Sequence, residues 1–162
     1  MKMIKIDELR EFRPTYQYEN GENINLEAVK AALTETAEEN GIAIAFYEDQ
    51  VKSGGIFNRV IEDCLVMYHP EHRYDYFTFC IRVQREGPLT LIAVNDFGSS
   101  KQMDKFARAE NARLDRQGKD LSYQIGSLIG SGLRNIGKSK QKLEEEQNYY
   151  AAVEYLLDQV IS

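Results

Sequence analysis

Between Ile42 and Asn95 the apolar residues recur at every second position, and this switch of period constrains the fold more than any other feature of the chain. Just upstream, Leu26, Val29, Leu33 and Ala37 recur at helical spacing. Asn25 stands where an N-cap belongs and Gly41 where a C-cap belongs, so the spacing predicts a helix over 26–40. Four strands are predicted to follow, over 42–47, 57–69, 74–85 and 89–95. Ser53-Gly54-Gly55, Pro70-Glu71-His72-Arg73 and Glu86-Gly87-Pro88 separate them. Connections this short join antiparallel neighbours, which predicts a four-stranded antiparallel meander.

A turn centred on His72 sets Phe77, Phe79, Ile81 and Val83 across from Met67, Leu65, Asp63 and Ile61. It also sets Glu62 opposite Arg82 and Cys64 beside Cys80. A carboxylate at Asp63, on an apolar face, calls for a strand bulge or a basic partner. The opposite face carries Cys64, Val66, Cys80, Leu91 and Ala93, too apolar for open water, so helices or a second copy of the chain are expected to cover it.

The flanks read as helical. Residues 4–12 suggest a short helical start closed by Pro14. Ser99 or Ser100 would cap a helix over 101–117, a glycine-rich stretch spans 121–136, and a last helix covers 140–161 with Leu143, Tyr150, Val153, Leu157 and Val160 on one side. The expected fold is therefore α+β: a four-stranded antiparallel meander preceded by one helix and followed by two or three C-terminal helices packed on the sheet. It forms one domain over 1–162, comprising an N-terminal segment 1–24, a helix and sheet over 25–98, and a helical part over 99–162.

At 162 residues the chain is long enough to bury a core without staples, and its 43% hydrophobic and 28% charged content excludes disorder over most of its length. No run approaches about 18 uninterrupted apolar residues, so no membrane partner is expected. The first residues turn acidic at Asp7-Glu8 without an apolar leader, and two cysteines are too few for a disulfide framework; both point to the cytoplasm.

Charge is sorted by position. Residues 99–142 hold ten Lys/Arg against four acids, a local net of +6, which leaves the remainder near -12 in a chain of net -6. Lys101, Lys105, Arg108 and Arg116 recur about once per helical turn and form a stripe that Arg134 and Lys138 extend; these are the candidate anion- or partner-binding residues.

Two motifs resemble chemistry. Gly132 to Ser139 matches the phosphate-loop pattern G-x-x-x-x-G-K-[ST]. Such a loop needs a buried strand before it and an acidic strand end after it, and only 23 residues follow Ser139, so the match reads as coincidence. His69, His72, Asp75 and Asp96 gather around one hairpin end in the expected register. There they are weak candidates for a metal site, with turn chemistry as the plainer explanation. No cofactor is expected.

These features predict a non-catalytic intracellular binding or regulatory module, with a protein partner or a second copy in a homodimer. A nucleic-acid-associated protein using residues 101–142 is the alternative, and a small metal-dependent enzyme at His69, Asp75 and Asp96 is a further one.

Overall fold

A computed structural model describes residues 3–117 and 138–162. The strands are β1 (Ile4–Lys5), β2 (Arg10–Glu11), β3 (Tyr16–Glu19), β4 (Ala45–Ser53), β5 (Val60–Tyr68), β6 (Thr78–Glu86) and β7 (Leu89–Phe97). A 3-10 turn (Ile6–Glu8) links β1 to β2, and the α-helices are α1 (Leu26–Asn40), α2 (Lys101–Gln117) and α3 (Lys138–Val160).

The four-stranded meander is too small a description. The sheet has seven strands in the order β1-β4-β5-β6-β7-β2, with β3 also on β7, and it is mixed, because β1 runs parallel to β4. The predicted N-terminal helix is likewise replaced by strands. β1 and β2 contribute two residues each, which is too short to carry a period.

Chain reach dictates the shape. β1 and β2 flank opposite edges, so in a flat sheet they would stand five strand spacings apart, about 24 Å. The five steps from Lys5 to Arg10 span at most about 17 Å even when fully extended. The sheet must therefore curl into a half-barrel, with residues 4–11 strapped across its open side. Ile4 and Leu9 of the strap pack on Val51, Cys64, Val66 and Cys80. The sheet's second face, expected to meet helices or another copy, is covered from within by the chain's own first residues.

The outer face holds the main core. Val29, Leu33 and Ala37 of α1 and Val153, Leu156 and Leu157 of α3 close over Leu65, Met67, Phe79, Ile81, Ile92 and Val94. Asn25 caps α1 by accepting the Ala28 N–H at 2.8 Å, and Gly41 ends it in the left-handed region (φ 66°). α2 packs on α3 rather than on the sheet, with Phe106 as its buried anchor. Between β2 and β3 the edge strand bulges at residues 12–15. The bulge turns Phe12 inward against Phe79 (5.1 Å between centroids) and Tyr150 (4.8 Å, edge-on).

The β5–β6 register also differs, by two residues: Leu65 faces Ile81, Val66 faces Cys80 and Met67 faces Phe79. Because side chains alternate with period two, the slip keeps every residue on its expected face. Arg82 still reaches Glu62 diagonally, at 2.7 Å. Cys64 and Cys80 become diagonal neighbours, both buried and free. Asp63 needs neither bulge nor cation, since it is exposed opposite Gln50, whose side-chain amide donates to it at 3.1 Å.

Candidate functional site

The turn between β5 and β6 assembles a hub. His72 stacks on Tyr76 with 4.0 Å between centroids and 4° between planes, and His69 sits edge-on to His72, Tyr76 and Tyr149. Burial, then the neighbouring His72, push the His69 imidazole below its usual range. His72 Nδ1 lies 3.2 Å from Asp75, which also accepts the Gln102 side-chain amide at 2.8 Å. Burial opposes ionisation of Asp75, but these hydrogen bonds outweigh it and hold the carboxyl below its ordinary value.

Of the four residues expected around the hairpin end, only His72 meets Asp75, three residues before it in the same turn. Asp96 belongs to a different contact. It accepts from Arg10 Nε at 2.8 Å and from the Tyr150 hydroxyl at 2.5 Å, and so ties the strap to α3. Among the described residues no group of three or more His, Cys, Asp or Glu side chains is placed to hold a metal.

Glu146 is the residue that sequence reasoning missed. Only 2% exposed, it accepts the Ser100 hydroxyl in a short hydrogen bond and the Phe77 N–H at 3.2 Å. Ser100 in turn accepts the Met103 N–H at 3.0 Å as the cap of α2, so one carboxylate fastens the hairpin turn and two helices together. Burial pushes the Glu146 carboxyl up, partly offset by these two donors. The signal was available: position 146 falls between Leu143 and Tyr150 on the inner stripe of the last helix.

Of the basic stripe, Lys101 and Lys105 line a cleft of about 310 Å³ together with Arg73, Lys142 and the acids Glu71 and Asp75. Arg108 is exposed farther along α2. The side chains of Arg116 and Lys138, and the whole of Arg134, lie outside the described residues, as do most of the phosphate-loop pattern and the glycine-rich stretch.

The opposite end of the sheet carries a feature that the sequence had merged into a strand. β4 and β5 are joined by residues 54–59, and at this tip Ile56 is 92% and Phe57 96% exposed, with Val60 and Ile61 exposed beside them. The loop has a defined shape. Gly54 has φ 81°, and a Cβ there would stand 2.0 Å from the Asn58 carbonyl oxygen, so no other residue fits without moving the backbone. Three cations, Lys5, Lys52 and Arg59, against one acid, Asp7, line the cleft beneath Ile56.

No protein-family model, no curated protein sequence and no solved structure matches the chain. The fold and these surfaces define an α+β half-barrel module. Among the described residues no helix is long and apolar enough to cross a membrane.

Proposed function

We propose that the protein is a non-catalytic binding module that docks on another protein through the β4–β5 loop. The observation that carries this reading is the pair Ile56 and Phe57, almost fully exposed at the end of a loop whose backbone only glycine permits. Two adjacent large apolar side chains in water are costly, and burying both in a partner's pocket contributes roughly 3–6 kcal/mol gross. The cations Lys5, Lys52 and Arg59 around the tip favour a pocket rimmed by acidic side chains. Two buried free thiols fit a reducing compartment such as the cytoplasm.

Site-specific photo-crosslinking in cells tests the reading. A crosslinker in place of Phe57 is expected to give a discrete adduct with one protein, and the same group in place of exposed Glu35 on α1 should give none. Ile56→Ser with Phe57→Ser should abolish the interaction and leave the melting temperature unchanged, because neither side chain supports the core. Adducts only between copies of this chain would replace the partner with a homodimer, and adducts with lipid alone would overturn the reading.

A second reading, association with nucleic acid, is favoured by Lys101 and Lys105 standing together with Arg73 and Lys142 around one cleft.

A further inference from the structure

The half-barrel is open at the end away from the apolar tip, and there the strap, β4 and the end of β7 frame an open cleft of about 730 Å³. Ile4, Tyr47 and Phe97 form apolar walls. This volume falls in the range of small-molecule sites, which are mostly apolar with a few convergent polar groups.

Two opposite charges line this cleft, the buried Asp49 and the exposed Arg73. Asp49 is 7% exposed on the inner face of β4. Among the described residues it accepts one hydrogen bond, from the adjacent Gln50 N–H at 2.8 Å on Oδ1, and no cation stands within 4 Å of it. Its second oxygen is not among the buried polar atoms without a partner and so stays open to the cleft. Arg73, from the β5–β6 turn, lies over the rings of Tyr47, Tyr68 and Tyr74 at 5.1–5.4 Å, and no described carboxylate lies within 4 Å of its guanidinium. Aromatic packing holds this planar donor fork in place while leaving its N–H groups for an acceptor. The two charges do not pair with each other, although both line the same space.

We infer that this cleft binds a small zwitterion with an apolar body, of the class of a free aromatic or aliphatic amino acid. The ligand's ammonium lies against Asp49, its carboxylate against Arg73, and its side chain against Ile4, Tyr47 and Phe97. Glu8 and Glu48 at the rim reinforce the preference for a positive group on the Asp49 side. A ligand with both charges satisfies two groups at once, whereas a simple amine or acid leaves one charge unmet.

Three probes sharing one ring separate these cases: L-phenylalanine, 2-phenylethylamine and 3-phenylpropanoate, each titrated into the full chain and followed by backbone amide NMR shifts. L-phenylalanine is expected to saturate in the millimolar range or below, at least about tenfold tighter than either analogue, with shifts centred on residues 47–49, 73 and 97. Asp49→Asn should weaken L-phenylalanine and 2-phenylethylamine about tenfold or more and leave 3-phenylpropanoate unchanged; Arg73→Gln should weaken L-phenylalanine and 3-phenylpropanoate and leave 2-phenylethylamine unchanged. The amide spectrum of each variant checks its fold, so either one suffices if the other does not fold. Absence of saturable L-phenylalanine shifts at millimolar concentration overturns the inference. So does 2-phenylethylamine binding as tightly as the amino acid, or an affinity for L-phenylalanine indifferent to both substitutions.

Discussion

Glu146 concentrates the chemistry of the helix–hairpin junction in one carboxylate. Because burial sets its folded-state value above the ordinary 4.5, the native chain keeps a proton there at pH values where the unfolded chain has released it. The stability this group contributes is therefore fully present below 4.5 and is lost as pH rises through the shifted value. Glu146→Gln keeps the shape, offers a carbonyl to the Phe77 N–H, and should remove this component of the pH dependence in urea unfolding measured from about pH 4 to pH 8. Glu146→Ala should instead cost about 2 kcal/mol at neutral pH, because it orphans a buried hydroxyl and a buried N–H. The hub itself was only partly legible. Turn residues and histidines announced a hairpin end, but which imidazole meets Asp75 depends on the local geometry of residues 69–76, which no period encodes.

Among the elements, α1 was the most legible, since Asn25, the spacing of Val29, Leu33 and Ala37, and Gly41 all point the same way. β1 and β2 were illegible for the opposite reason: a two-residue strand is defined by its partner across the sheet, not by its own sequence. The tip at Ile56 and Phe57 was hidden because an apolar pair beside a strand looks the same whether it is buried or exposed. The expected β5–β6 register missed by two residues because it leaned on a charge pair. Arg82 reaches Glu62 as readily along the diagonal as straight across, so the charge pair did not discriminate between the two alignments.

The cationic side of α2 makes a prediction at the same scale. Lys101 and Lys105 meet Arg73 and Lys142 at one cleft, but the acidic remainder of the chain opposes anions within a Debye length of about 8 Å at physiological salt. Retention on immobilised single-stranded nucleic acid should be weak, independent of sequence and lost steeply as salt rises. Lys101→Glu with Lys105→Glu should abolish it while the far-UV circular dichroism stays unchanged. Tight, sequence-selective binding at physiological salt would make nucleic acid the primary partner.

On the scale of the whole molecule, composition and period together fixed the α+β class, whereas the curl of the sheet did not follow from either. It follows from a distance constraint between residues 5 and 10 that becomes visible only when both edges are known. The strap comes first in the sequence, yet its partners lie far along it, at Val51 and Lys52 on one side and Asn95 and Asp96 on the other.

That arrangement gives the strap a second consequence, for colloidal behaviour. Residues 4–11 cover backbone groups of β4 and β7, and Arg10 locks the cover through Asp96 at 2.8 Å and the Gly98 carbonyl at 2.9 Å. Deleting residues 1–11 would bare Val51 and Lys52 of β4 and Asn95 and Asp96 of β7, extending the open β4 edge while β3 still covers Leu89–Ile92, and an open edge is a template for another chain. The expected signature is time-dependent light scattering and thioflavin-positive material at temperatures where α1 and α3 remain folded, with the full chain staying clear under the same conditions. A truncated chain that stays monomeric would mean that the edges are guarded by their own charges, Glu48 and Asp49 foremost. Scattering confined to the truncated chain would assign the strap a protective role against amyloid-like stacking.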